Sequence, residues 1–207
     1  MPIKSYFATP ISIDSLHASA KERSRFNREL LEQCRLVKLT DPDGREWSKE
    51  NYLHGYTSYG SITDLHRRYP HFEELEKKIG AHVRRFARAL EMDLQGGRLV
   101  MSSCWVNIMA KATAHTSHLH PLSVISGTYY VSVPKGASPL KFEDPRHAQF
   151  MAAPPKLAAA SPRNQPFVTL APKAGDVALW ESWLRHEVPR SQSREERVSI
   201  SFNYEWK

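Results

Sequence analysis

The chain has 207 residues, which is enough for one domain with a hydrophobic core that needs no disulfide or metal to hold it together. Its hydrophobic content of 41% and aromatic content of 10% are ordinary for a soluble globular protein. Two cysteines, Cys34 and Cys104, are too few for a disulfide framework, and the first residues lack the apolar run of a signal peptide. No stretch reaches membrane-spanning length. We therefore expect a cytoplasmic protein without a membrane partner.

The formal net charge of +7 raises the question of an anionic partner such as nucleic acid. Much of the excess lies in one stretch, His82–Arg88 (HVRRFAR), and no basic motif with interleaved aromatic residues accompanies it. A solvated helix face explains such a stretch better. The sequence therefore argues against a nucleic-acid partner.

The first half of the chain is predicted to be helical. Apolar residues at helical spacing predict a first helix over residues 23–39. The sequence Asp41-Pro42-Asp43-Gly44 is then expected to form a turn that stops this helix. A stronger apolar stripe predicts a second helix over residues 70–90, which Gln95-Gly96-Gly97 ends. Both helices are expected to pack against a sheet.

From Arg98 onward the apolar period changes to two, which is typical of strands. Short β-rich runs separated by glycine and proline favour a double-sheet jelly roll with flanking helices. The alanine- and proline-rich segment 144–166 is predicted to be a long loop, and such loops often act as lids. The predicted strands are Leu99–Met109, Ser126–Val133, Leu140–Glu143, Phe167–Leu170, Val177–Trp180 and Val198–Tyr204.

The fold class expected from these elements is mostly β with flanking helices around a double-stranded β-helix core of the jelly-roll, cupin-like type. The whole chain, residues 1–207, is predicted to be one domain. Within it, residues 1–97 are expected to be mainly helical support with an N-terminal strand, and residues 98–207 to form the jelly-roll core.

Three histidines form the pattern that says most about chemistry: His118-Leu119-His120, and His186 far downstream. Residues i and i+2 of a strand share a face, so His118 and His120 can point into one cavity. His186 follows an apolar strand and can reach back to them. In a regular strand, His115 would lie on the opposite face. Imidazole binds iron, zinc, copper and nickel alike, so the pattern indicates a metal site without selecting the metal, although a His-x-His pair alone is often only a surface feature.

Arg197 and Ser199 lie two positions apart on a predicted strand, so both can face inward and hold one carboxylate. The planar fork of arginine suits a carboxylate, whereas a buried arginine without an anion would be costly. The alternative is a structural salt bridge from Arg197 to Glu195 or Glu196.

Several short motifs, in order, resemble a bacterial family of 2-oxoglutarate- and iron(II)-dependent oxygenases that is distantly similar to prolyl hydroxylases. The resemblance implies a jelly-roll fold, iron(II), 2-oxoglutarate as cosubstrate and O2. It is strong over residues 107–203 and weaker at residues 7–11. The motifs are Trp105-Val106-Asn107, His118-Leu119-His120-Pro121, Ser126-Gly127-Thr128-Tyr129-Tyr130-Val131, Phe142-Glu143-Asp144-Pro145-Arg146, Ser182-Trp183-Leu184-Arg185-His186 and Arg197-Val198-Ser199-Ile200-Ser201-Phe202-Asn203.

The same resemblance implies roles for individual residues. His118 takes the place of the first metal-binding histidine and His186 that of the distal one. The far carboxylate of 2-oxoglutarate would be bound by Arg197 with Ser199 and by Tyr130, and Asn107 is a weaker candidate for the near carboxylate. On the substrate side, Arg146 and Trp183 are candidates.

His120 departs from the family pattern, because two histidines and one carboxylate are the usual ligands and His120 occupies the acidic position. Three interpretations compete. His120 ligates the metal directly, it is displaced and leaves two histidines with water, or Asp144 swings in from its loop. We favour direct ligation.

The expected function is therefore a 2-oxoglutarate- and iron(II)-dependent dioxygenase, a hydroxylase acting on an unidentified small molecule or protein side chain. A cupin-type iron dioxygenase that does not use 2-oxoglutarate is the enzymatic alternative; three histidines favour it, and Arg197 with Ser199 disfavours it. A non-catalytic module that binds metal or nucleic acid is the other alternative. A homodimer is considered alongside a monomer.

Overall fold

The computed structural model describes residues 2–4 and 6–207, and its strands form two sheets. All the paired strands are antiparallel. In chain order the strands are β1 (Ile11–Ser15), β2 (Gly55–Thr57), β3 (Leu99–Met109), β4 (His115–His118), β5 (Ile125–Ser132), β6 (Leu140–Glu143), β7 (Phe167–Leu170), β8 (Asp176–Glu181), β9 (His186–Val188) and β10 (Arg197–Trp206).

The larger sheet has the order β1-β8-β5-β10-β3-β2, and the smaller has the order β4-β9-β6-β7. The helices are α1 (Ala20–Thr40), α2 (Pro42–Asn51), α3 (Leu65–Arg68) and α4 (Pro70–Ala89). The apolar buried residues of α1, α3 and α4 join one core with one face of the larger sheet. The predicted fold class, a jelly roll with flanking helices, is confirmed.

Strict alternation along β10 decides what each face of the larger sheet carries, because successive side chains of a strand point to opposite faces. The apolar set packs under the helices, whereas the polar set faces the smaller sheet. This one strand therefore supplies both the helix-covered core and the polar side of the cavity between the sheets. The apolar set is Val198, Ile200, Phe202 and Tyr204, and the polar set is Arg197, Ser199, Ser201 and Asn203.

The two predicted helices are present as α1 and α4, but the predicted turn at residues 41–44 is wrong. Asp41 ends α1 and also caps α2, because its side chain accepts a hydrogen bond from the Gly44 N–H at 2.9 Å. Pro42 stands at the first position of α2, where a missing N–H costs no helical hydrogen bond. The same residues that stop one helix therefore start the next.

The predicted strands all occur, with ends shifted by a few residues, but β2, β4 and β9 were not predicted. Each has only three or four residues, and β4 (HTSH) carries no apolar alternation. Segment 144–166 contains no strand, only two single turns of 3-10 helix, as expected of a loop. In the part of the chain that the structure describes, no helix is long and apolar enough to cross a membrane.

Candidate metal centre

His118 and His186 lie directly opposite each other on the paired strands β4 and β9. Their ring centroids are 4.3 Å apart. His120 follows β4, and its backbone N–H donates to the Ser182 carbonyl at 2.9 Å, which ties it to the turn after β8. One nitrogen from each of the three histidines lies within 4.8 Å of the other two. The structure therefore brings the three predicted ligands together.

Backbone carbonyls determine which nitrogen of His118 and His186 is free. The Nδ1 atom of His118 lies 2.7 Å from the Thr116 carbonyl, and that of His186 lies 2.9 Å from the Leu184 carbonyl. A carbonyl only accepts, so Nδ1 carries the proton in both rings. The Nε2 lone pair of each ring is then available for a metal, as in most protein sites that bind metals through histidine.

The side-chain amide of Asn203 determines which nitrogen of His120 is free. Its Nδ1 lies 2.6 Å from the Asn203 Oδ1 and 2.7 Å from the Ser126 hydroxyl. The Asn203 amide nitrogen donates to Ser103, which directs the amide oxygen toward His120. His120 therefore also has a free Nε2.

Burial keeps these imidazoles neutral. Desolvation is the main cause that lowers the pKa of His186 to about 2 and that of His120 to about 4, and it also lowers the pKa of His118. Mutual repulsion with the neighbouring rings adds to the effect on His186 and His120. Neutral imidazole is the form that ligates a metal. Three neutral rings, each with one nitrogen within 4.8 Å of the other two, fit a divalent transition-metal ion.

Asp144, the least favoured of the three alternatives at the third ligand position, is engaged elsewhere. Its carboxylate accepts two hydrogen bonds from the Arg146 guanidinium, at 3.0 and 2.7 Å. The side-chain pair lies in the loop after β6, and neither residue lines the cavity beside the histidines.

His115 lies on the cavity side, contrary to the expectation for a regular strand. The register of β4 against β9 shifts between His115 and His118, so the alternation of faces is broken. The ring of His115 stacks on that of His118 with centroids 4.2 Å apart. The cavity between the sheets therefore carries a fourth histidine.

Arg197 lines the same cavity as the histidines. The side chain is buried, and its guanidinium lies 5.0 Å from the centroid of the Tyr130 ring. One terminal nitrogen donates to the Met109 sulfur, a weak acceptor, at 3.0 Å, and Nε has no partner. The predicted alternative, a salt bridge to a neighbouring glutamate, is absent from the described residues, and Glu196 pairs with Lys38 instead.

The remaining predicted cosubstrate residues surround Arg197. Ser199 is buried and pairs in register with both Tyr130 and Asn107. The Tyr130 hydroxyl is buried and has no partner. Asn107 lines the cavity, but its amide already accepts from Thr57 at 2.9 Å and donates to Ser201 at 3.0 Å. A buried cation with unpaired donors and no acid beside it fits a bound carboxylate.

Two residues that were predicted for the site from the sequence do not line the cavity. Several other residues line it but were not predicted from the sequence. Arg146 and Trp183 are exposed and lie outside the lining. Asn203 could have been found, because it shares the face of Arg197 at even spacing along β10. Tyr52 could not, since nothing near it in the sequence signals a site. The lining residues not assigned to the site from the sequence include Tyr52, Trp105, Met109, His115, Thr128, Leu140, Val188 and Ser201.

The comparisons with known proteins agree with this geometry. Residues 103–203 match the family model described as "Putative 2OG-Fe(II) oxygenase", whereas no curated protein matches the chain. The fold is similar to that of the α-ketoglutarate-dependent epimerase SnoN from nogalamycin biosynthesis, with 15% identity, 95% of this chain and 76% of that chain covered, and a TM-score of 0.67.

Two further solved structures share the fold. A prolyl-4-hydroxylase from Pseudomonas putida has 13% identity, a TM-score of 0.59, and 95% of this chain and 92% of that chain covered. HygX from Streptomyces hygroscopicus was solved with nickel, 2-oxoglutarate and hygromycin B bound. It has 17% identity and a TM-score of 0.59, and the match covers 95% of this chain and 83% of that chain. The chain shares its fold with these solved structures, and its residues 103–203, which match the model of the 2OG-Fe(II) oxygenase family, include His118, His120, His186 and Arg197.

Proposed function

We propose that the chain is a hydroxylase in which His118, His120 and His186 together hold the iron(II) ion through their Nε2 atoms. Support comes from the clustering of the three rings and from the oxygen acceptor at each Nδ1. Such partners orient a ligating histidine and make it a better ligand.

The observation that carries the use of 2-oxoglutarate is the buried, unpaired guanidinium of Arg197. A buried cation of this kind is costly until an anion reaches it. Arg197, with the hydroxyls of Tyr130 and Ser199, is proposed to bind the far carboxylate of the cosubstrate. Asn107 is proposed to contact the near carboxylate, for which it would exchange its hydrogen bond to Ser201.

Bound iron(II), 2-oxoglutarate and O2 supply the oxidation of a substrate C–H bond, with succinate and carbon dioxide as coproducts. The protein positions the reactants and excludes water. Leu140, Trp180 and Val188 provide apolar lining around the histidines. The substrate is proposed to approach past Trp105, whose ring centroid lies 5.9 Å from that of His120.

The segment 144–166 is proposed to close over the substrate, with Arg146 and Trp183 as substrate contacts from the surface. The proposed substrate is a small molecule or a protein side chain. We also propose that residues 1–207 work as one domain, because β1 and β2 from the helical half complete the larger sheet. A cytoplasmic location is proposed because both cysteines are free and buried.

Production of succinate tests the proposal. Purified protein with iron(II), ascorbate and labelled 2-oxoglutarate is expected to release labelled succinate slowly even without substrate, and Arg197→Ala is expected to abolish this release. No succinate from the native protein, together with an unchanged affinity of Arg197→Ala for 2-oxoglutarate, overturns it. A cupin-type dioxygenase would bind iron but not 2-oxoglutarate. Salt-sensitive binding of DNA or RNA that survives loss of His118 and His186 would favour a binding module.

A further inference from the structure

Tyr52 is a buried residue of the cavity that lies outside the family segment. It follows α2, its ring is 4% exposed, and it lines the cavity together with Arg197. It packs in one cluster with Met109 and Tyr130, the two residues that contact the Arg197 guanidinium. Its hydroxyl has no hydrogen-bond partner among the described residues.

An unpaired buried hydroxyl is costly, because it has lost its hydrogen bonds to water and gained none. Such a group calls for an explanation, and its surroundings supply one. The Arg197 Nε atom, which lines the same cavity, also lacks a partner, and so does the hydroxyl of Tyr130, which belongs to the same apolar cluster as Tyr52. Two unsatisfied donors that line one cavity, Tyr52 and Arg197, with no acidic side chain in its lining, indicate a ligand rich in acceptor oxygens.

The position of the Tyr52 ring is tightly determined by its neighbours. A Cβ atom added at Gly55 would lie 2.8 Å from the ring, so the backbone passes directly against it. On another side, the ring meets His115 edge-on with centroids 5.6 Å apart. The Tyr52 N–H also donates to the Ser48 carbonyl at 2.9 Å. The hydroxyl is therefore held in place before any ligand arrives, which lowers the entropy cost of binding.

The segment that carries Tyr52 is anchored in turn by the buried carboxylate of Asp41. Its oxygens accept hydrogen bonds from the Tyr56 hydroxyl at 2.8 Å, from Ser61 at 2.6 Å and from the Gly44 N–H at 2.9 Å. These bonds join the start of α2 to the stretch that follows it through β2. A ligand bound by Tyr52 would therefore contact both the helical half and the sheet of the protein.

We propose that Tyr52 is a cosubstrate-binding residue, whose phenol O–H donates to the far carboxylate of 2-oxoglutarate beside Arg197. The assignment rests on the proposed use of 2-oxoglutarate. It extends the binding site beyond residues 103–203 to the N-terminal half of the chain, and it makes occupancy of the cavity a stabilising link between α2 and the larger sheet.

The test compares Tyr52→Phe with Tyr204→Phe. Tyr204 is a matched control, because its hydroxyl is also buried without a partner but lies in the core under the helices. Isothermal titration of 2-oxoglutarate into nickel-loaded protein is expected to show roughly ten- to hundredfold weaker binding for Tyr52→Phe, the loss typical of a hydrogen bond to a charged group. Tyr204→Phe should bind 2-oxoglutarate as tightly as the native protein does. Both variants should keep the native affinity for nickel.

Oxalate provides a second readout, because it chelates the metal but has no far carboxylate. Tyr52→Phe is expected to bind oxalate as tightly as the native protein does. If the native protein binds 2-oxoglutarate and Tyr52→Phe binds it equally well, the assignment of Tyr52 is wrong. It is also wrong if Tyr52→Phe loses affinity for oxalate by the same factor as for 2-oxoglutarate. If the native protein does not bind 2-oxoglutarate at all, the proposed function itself fails, and the assignment fails with it.

Discussion

His120 and Asn203 are joined by a hydrogen bond of 2.6 Å between the ring Nδ1 and the amide oxygen. The bond links the residue after β4, in the smaller sheet, to β10 at the centre of the larger sheet. It orients the His120 ring toward His118 and His186 and leaves Nε2 free. The position at which the family pattern expects an acid thus carries a neutral imidazole whose orientation is set by Asn203.

Asn203→Ala is expected to weaken the affinity for nickel or cobalt by about 10- to 100-fold, because the His120 ring loses the acceptor that orients it. Titration of metal into the metal-free protein measures the change. Ser103→Ala removes the hydrogen bond from the Asn203 amide nitrogen but keeps the acceptor at His120, so it is expected to weaken the affinity less than Asn203→Ala does. An Asn203→Ala variant with native affinity would contradict this orienting role of Asn203 and leave it to the Ser126 hydroxyl, which lies 2.7 Å from the same Nδ1.

Alanine at each of the three histidines distinguishes a three-histidine site from a two-histidine site. If all three ligate, His118→Ala, His120→Ala and His186→Ala each lose most of the metal affinity and change the absorption spectrum of bound cobalt. A two-histidine site with water predicts native affinity for His120→Ala alone. His147→Ala, in the exposed loop, is the matched control and should behave as the native protein.

Arg197→Met is expected to stabilise the metal-free protein while it abolishes 2-oxoglutarate binding. The substitution removes a buried charge without an ionic partner, and replacing such charges by apolar residues is neutral or stabilising by about 1–4 kcal/mol. Urea unfolding with and without 2-oxoglutarate measures both effects. A less stable Arg197→Met variant would show that a structural interaction of Arg197 outweighs the cost of its burial.

Glu22→Gln tests the electrostatic tie between α1 and α4. The Glu22 carboxylate accepts from Lys78 at 2.9 Å and lies 3.4 Å from the His17 ring, and these contacts lower its pKa from 4.5 to about 2. A carboxyl whose pKa is lower in the folded state stabilises the protein above its ordinary pKa and loses that effect as the pH falls. The native protein should therefore exceed Glu22→Gln in stability at neutral pH.

That difference in the free energy of unfolding should shrink as the pH falls from 4.5 toward 2, and urea unfolding over this range measures it. Glu32→Gln, which changes an exposed glutamate on the same helix, is the control for the charge change alone. A difference that stays constant with pH would contradict the linkage.

The helices and long strands could be predicted from periodicity alone, because each buries one face and the apolar spacing records which face. The strands that hold the histidines could not. β4 and β9 are three to four polar or mixed residues long, and they pair only because the longer strands bring their chain segments together. The same dependence explains His115, whose face is decided by a register shift between β4 and β9.

By itself, the sequence determined the fold class and placed His118, His120, His186 and Arg197 as candidates, since strand alternation and residue chemistry are local properties. Only the tertiary structure decided that the three imidazoles converge, that Asn203 orients His120, and that Arg197 lacks an acidic partner. Only the packing of α2 against the sheets brought Tyr52 into the cavity. These are relations between distant segments, and they depend on how the two sheets and the helices pack, which no local pattern encodes.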